Sequence, residues 1–217
     1  MNVSKATTQR TALSTDDGDG SAGDADTPPE PAEPPASAAN RAPEALAERV
    51  EVQRLSGDNP HNLNIDEPWL HDRFVAALTH VARPVERITV TIAGDEKMRA
   101  LNQTHRGVSD TTDVLSFERR GDDDAIEADI VICADEAARR ATELEHTVEQ
   151  ELLLYALHGA LHCAGFDDQT NEDFEAMHVE EDRILIAIGV GPTFARDSSG
   201  HDDRRQPRIV TEGPAVD

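Results

Sequence analysis

His158 and His162 stand four residues apart, and Gly165 and Asp168 follow at intervals of three, in the run HGALHCAGFDD. Four residues turn an α-helix through about 400°, so the two imidazoles share one helix face. A glycine at position 165 can end that helix in a left-handed turn, which doubles the chain back and brings Asp168 toward the rings. Two neutral imidazole nitrogens and one carboxylate oxygen suit zinc, and three protein ligands leave the fourth position open to water. An open position points to catalysis through an activated water. The bare HxxxH spacing also occurs as two unrelated surface histidines. Here the preceding stretch ELLLYAL, residues 151–157, is apolar, so the helix is buried and its histidines need a reason to be there.

The same skeleton occurs in zinc proteases as H-E-x-x-H-x-x-G-x-x-H. Two positions differ: Gly159 stands in place of the Glu and Asp168 in place of the third His. The protease Glu is the general base, and glycine cannot replace it. A peptidase reading therefore lacks its base. Aspartate is an acceptable zinc ligand, although its charge makes the metal a weaker Lewis acid.

The elements that must position this cluster are legible from periodicity. Residues 48–55 (ERVEVQRL) alternate weakly and form a first strand. Asp66 caps a helix whose apolar stripe runs through Trp69, Leu70, Phe74, Leu78 and Val81. Residues 87–93 (RITVTIA) are the clearest strand, and 95–104 a helix with Met98 and Leu101 inward. Strands at 113–117 and 129–133 precede a short helix at 134–144. The metal helix spans 147–164 from a Thr147 cap, with Glu149 and Glu151 answering its dipole. A last helix covers 172–188. The order β-α-β-α-β-β-α-α-α predicts an α+β domain: a small mixed sheet of about four strands with helices packed on it, the metal helix central.

The 217 residues carry a formal net charge of −24. Residues 1–45 hold three basic and eight acidic side chains and residues 191–217 hold four and five, so 18 of those charges fall between them. Both ends are poor in large apolar residues, and the stretch DDGDGSAGDADTPPEPAEPP cannot bury enough surface to offset its chain entropy. The expected organisation is a disordered acidic tail over 1–45, one domain over 46–190 and a disordered tail over 191–217. So acidic a domain is a poor general binder of phosphate backbones. Two cysteines, Cys133 and Cys163, make no disulfide framework and suit a reducing cytosol; both read as small buried hydrophobes. The N-terminus lacks the apolar core of a signal peptide. The chain has no run of 18 apolar residues, so neither export nor a membrane span is expected.

Several segments together resemble the YbeY family, bacterial rRNA maturation factors and single-strand-specific metallo-endoribonucleases. They are Leu101-Asn102 with Arg106, TDVLSF at 112–117, DIVIC at 129–133, HGALH at 158–162, Gly165-Phe166-Asp167, and Met177 followed by Glu181. The resemblance covers about residues 48–190. It implies a small α+β domain that hydrolyses single-stranded RNA, matures the 3′ end of small-subunit rRNA and serves ribosome quality control in the cytoplasm. It also implies one zinc per chain. The family holds zinc with three histidines; His158 and His162 match two of them, and Asp168 takes the third position. His178 is an alternative third ligand. Arg106 is the candidate catalytic residue, because a guanidinium can grip two phosphate oxygens at once. Thr112 and Asp113 are candidates to brace its loop, and Glu151, on the His158 face, to bond a ligand imidazole.

An RNA enzyme should show a basic path. The candidates are Arg99, Arg106, Arg119, Arg120, Arg139 and Arg140, with Asp122, Asp123 and Asp124 beside the Arg119-Arg120 pair. RNA binding is thus expected to lean on the small ribosomal subunit or one of its assembly factors. Two other readings stand beside the nuclease: a zinc hydrolase of another bond, such as a peptidase, and a non-catalytic ribosome-assembly factor.

Overall fold

The computed structural model describes residue 40 and residues 42–55, 63–119 and 124–193. The expected tails lie almost wholly outside the described residues, as does Arg120. Four strands form one mixed sheet: β1 (Val50–Arg54), β2 (Val85–Ala93), β3 (Val114–Glu118) and β4 (Ile126–Cys133), in the order β1-β2-β4-β3. β1 and β4 run parallel to β2, and β3 runs antiparallel to β4. The central strands β2 and β4 are the longest and most β-branched; β4 alternates buried with half-buried residues, so one face meets the core and the other is only partly covered.

Six helices surround the sheet: α1 (Pro43–Ala47), α2 (Glu67–Leu78), α3 (Asp95–Arg106), α4 (Ala134–Leu144), α5 (Val148–Cys163) and α6 (Asn171–Ala187). This is the α+β architecture expected from the sequence. α5 is buried along its length from Glu151 to Cys163. It packs on β3 and β4, with α2, α4 and α6 against its other sides. That burial is why its sequence is apolar all round and lacks an amphipathic stripe. A smaller cluster of Ala93, Met98, Leu115 and Cys133 forms separately from this main core.

Side-chain caps fix the starts of α2, α5 and α6. Asp66 accepts from the Trp69 N–H at 2.9 Å. Thr147 is the N-cap of α5, not its first residue: its hydroxyl accepts from Gln150 N–H, and Gln150 Oε1 accepts from Thr147 N–H. Packing also begins earlier than residue 46. Asn40 is fully buried and satisfies the backbone of the turn before β2, donating to Val81 and Arg83 carbonyls and accepting from Val85 N–H. α1 carries no helix signal of its own, because its Pro/Glu/Ala composition matches the tail; buried Leu46 ties it to the core. Among the described residues no helix is long and apolar enough to cross a membrane.

Candidate metal centre

The C-terminus of α5 turns as the glycine spacing requires. Gly165 has φ +103°, its N–H donates to the His162 carbonyl at 2.9 Å, and Phe166 N–H donates to the Leu161 carbonyl at 3.1 Å. These two bonds are the Schellman pattern, which only a residue tolerant of positive φ closes cheaply. Two consequences follow for the site. The Phe166 carbonyl accepts from His162 Nδ1–H at 3.1 Å. The side chain of Asp168, only 5% exposed, returns to within 4.0 Å of His162 Nε2.

His158 is held from the other side. Its Nδ1–H donates to Glu181 Oε1 on α6 at 2.5 Å. A carbonyl and a carboxylate accept but do not donate, so each Nδ1 must carry a proton and each neutral imidazole presents its lone pair at Nε2. The two Nε2 atoms face each other at 2.9 Å. Two lone pairs at that distance repel unless a proton or a cation lies between them. Asp168 Oδ2 is buried with no hydrogen-bond partner among the described residues. One ligand atom from each of His158, His162 and Asp168 lies within 4.8 Å of the others. Two converging nitrogens and an orphaned carboxylate oxygen are the donor set a divalent cation takes, so the residues fit a metal ion.

Burial and neighbouring charges act in opposite senses on the members of the cluster. At His158 burial opposes the charged ring, but the Glu181 carboxylate outweighs it and the pKa is raised. Burial, followed by the charge of His158, pushes His162 down to about 4. Burial likewise raises Asp168, with His158 pulling the other way. Glu181 is fully buried, which would raise its carboxyl; His158 and then His178 override that and hold it at about 2. The buried Glu181 carboxylate and Asp168 thus place negative charge around the two imidazoles.

The remaining sequence candidates are distributed unevenly. Asp113 contributes to the field at His158. Its Oδ1 accepts from Thr112 hydroxyl at 3.0 Å and from Val114 N–H at 2.8 Å, so the pair braces the entry to β3. Arg106 ends α3 and is half-buried; the charges that dominate at His158, His162 and Asp168 come from other residues. His178 lies outside the three-residue group and donates from Nδ1 to Glu181 Oε2 at 2.5 Å. Glu151 does not serve a ligand. It is fully buried and its Oε1 accepts from His146 Nδ1–H at 2.6 Å. The reason is distance: seven residues are two helical turns, about 10 Å along the axis, too far to touch the His158 ring. The carboxylate behind His158 is Glu181, which periodicity within α5 could not find because it comes from α6. The sequence singles Glu181 out only through the family resemblance, after Met177, and gives it no partner.

Gly159 has a structural reason. A Cβ there would lie 2.6 Å from Ser116 Oγ and 2.9 Å from Ile130 Cγ2. The residue that differs from the protease pattern faces the sheet at closest approach, where no glutamate fits.

The family profile described as Endoribonuclease YbeY matches residues 61–189. The chain is 36% identical over 173 residues to the endoribonuclease YbeY of Anaeromyxobacter sp., covering 75% of this chain and 89% of that protein. It is 32% identical over 143 residues to that of Desulfitobacterium hafniense, covering 60% and 91%. The Staphylococcus aureus protein is 34% identical over 127 residues, covering 54% and 81%. A solution structure from Thermotoga maritima aligns at TM-score 0.44 and 22% identity over 72% of this chain and 99% of that one. The chain belongs to the YbeY endoribonuclease family.

Proposed function

We propose that this protein is a zinc-dependent endoribonuclease of single-stranded RNA, with one zinc held by His158, His162 and Asp168. The observation that carries the reading is the pair of Nε2 atoms, tautomers fixed by Glu181 and the Phe166 carbonyl, converging beside an orphaned buried Asp168 oxygen. Family membership supplies the substrate class. When bound, zinc supplies Lewis acidity toward water and phosphate oxygen. His158 and His162 offer their Nε2 lone pairs, and Asp168 offers Oδ2 and a negative charge. Arg106 grips non-bridging oxygens of the scissile phosphate as a planar fork. Residues 46–190 hold this machinery, and the natural substrate is the 3′ end of precursor small-subunit rRNA. The small subunit or an assembly factor presents it in the cytoplasm, adding positive surface to a chain whose net charge is −24.

A peptidase reading is disfavoured by the site of its missing base, since the Gly159 position is closed by Ser116 and Ile130. The test is zinc content by elemental analysis of wild type, His158→Ala and Asp168→Ala, each assayed on single-stranded RNA carrying the precursor 3′ end. One zinc per wild-type chain, lost from both variants together with cleavage, is expected. Zinc and cleavage retained in Asp168→Ala would remove Asp168 from the ligand set. A wild type with neither zinc nor cleavage would leave a non-catalytic assembly role.

A further inference from the structure

Behind His158 lies a three-membered chain of buried side chains. Glu181 is fully buried, with Oε1 at 2.5 Å from His158 Nδ1 and Oε2 at 2.5 Å from His178 Nδ1. The two imidazole side chains are 8% and 5% exposed. Glu181 and His178 are three residues apart on α6 and so share one face. The His178 ring meets Phe174 edge-on, with centroids 4.2 Å apart and an interplanar angle of 82°. Every atom of the Glu181 carboxylate that can accept is thus committed, and its orientation is fixed from both sides.

We propose that Glu181, braced by His178, is the positioning residue of the site: it locks His158 in its Nδ1–H tautomer and sets the metal affinity. The inference rests on the metal-site reading above. A purely structural link between α5 and α6 would be built more cheaply from apolar side chains, because a buried carboxylate carries a large desolvation cost. A carboxylate accepting from Nδ1–H fixes the ring orientation and makes the opposite nitrogen a stronger donor to a metal. The two ligand histidines are unequal in this respect. His162 leans on a neutral carbonyl, whereas His158 leans on a charge. The same geometry gives His178 its role. Its Nδ1–H is given to Glu181 and its ring centroid lies 6.3 Å from that of His158, while the converging ligand atoms come from His158, His162 and Asp168, so its part is to support the carboxylate.

The test compares zinc affinity, by chelator competition, in wild type, Glu181→Gln, Glu181→Asp and His178→Phe, each first shown to be folded by circular dichroism. Nitrogen-15 spectra of the zinc-loaded proteins report the His158 Nδ1–H resonance. Glu181→Gln keeps shape but loses charge; its zinc affinity is expected to fall roughly 10- to 100-fold, with the Nδ1–H signal moved upfield. Glu181→Asp should recover part of the loss, and His178→Phe should show a smaller loss of the same kind. Wild-type affinity and an unmoved His158 signal in folded Glu181→Gln would overturn the proposal. If that variant does not fold, the same result in His178→Phe overturns it. Wild type without zinc would bring down the metal site itself. Zinc lost in His158→Ala but held normally by Glu181→Gln would bring down this inference alone.

Discussion

His146 and Glu151 are a buried polar pair on the metal helix and its cap that takes no part in the metal site. Their side chains are 2% and 0% exposed and meet at 2.6 Å. His146 Nε2 and Glu151 Oε2 have no hydrogen-bond partner among the described residues. Removing one member leaves the other buried without its partner, at a cost of about 3–5 kcal/mol, while replacing both by apolar residues can be nearly neutral. His146→Leu is therefore expected to lower the urea unfolding free energy by that amount, and adding Glu151→Leu to recover most of it, with zinc content unchanged throughout. A single variant as stable as wild type would show that the pair contributes nothing. The cysteines behave as the sequence suggested. Burial pushes Cys133 and Cys163 up to about 12, roughly a thousandfold less thiolate near neutral pH than an ordinary thiol. Both should resist Ellman's reagent at pH 8 in the native state and react only after unfolding; rapid native labelling would contradict the burial.

Two contacts between elements set how the site is carried. Gly159 lets α5 lie on β3 and β4 at a distance where any side chain would force Ser116 and Ile130 to shift. Alanine is the better helix former by about 1 kcal/mol, yet its methyl would press on Ser116 and the β-branched Ile130. Gly159→Ala is expected to destabilise by about 1–3 kcal/mol net and to weaken zinc binding, because His158 is the adjacent residue; chemical denaturation and zinc titration read both. A stabilised variant would show that the sheet gives way. Asp95 ties the start of α3 to α4: Arg139 grips it at 2.8 and 2.9 Å, and Cys133 and Thr111 also donate to it. Arg139, against the opposing effect of burial, holds the Asp95 carboxyl down at about 2. A folded-state pKa below the unfolded one of about 3.9 adds stability above that value, lost as pH falls toward 2. With Arg139 43% exposed, the contribution at neutral pH is on the order of 1 kcal/mol after allowing for screening. Asp95→Asn should lose that much at pH 7 and show a shallower loss of stability between about pH 4 and 2; an identical acid limb would refute the assignment.

At the scale of the whole molecule, the sequence was most legible where one element carries its own signal. The strands at β2 and β4, the Thr147 cap and the Gly165 turn each announce themselves by local periodicity or backbone chemistry. The group His158, His162 and Asp168 lies within one turn and its following loop, so spacing alone brought it together. The resemblance named Glu181, but its contact with His158 and the reason for Gly159 were not legible, because both depend on which face of a neighbouring element arrives across the core. The same holds for charge: a list of arginines gives no account of their partners. Of the expected basic path, Arg99 pairs with Asp95, Arg119 with Asp129, Arg139 with Asp95 and Glu136, and Arg140 with Glu143. Cations already neutralised by carboxylates release few counterions from an incoming strand. The slope of log affinity against log salt for single-stranded nucleic acid is about −0.7 per phosphate contacted. For this chain alone, RNA binding measured by fluorescence anisotropy between about 25 and 150 mM salt is expected to be weak. The expected slope is no steeper than about −2, equivalent to roughly three phosphates. The precursor presented on the small subunit should be cleaved far better than the same RNA free in solution. A slope of about −5 or steeper for the isolated protein would mean that these ion pairs open to form a continuous phosphate track, and that no partner is needed to supply one.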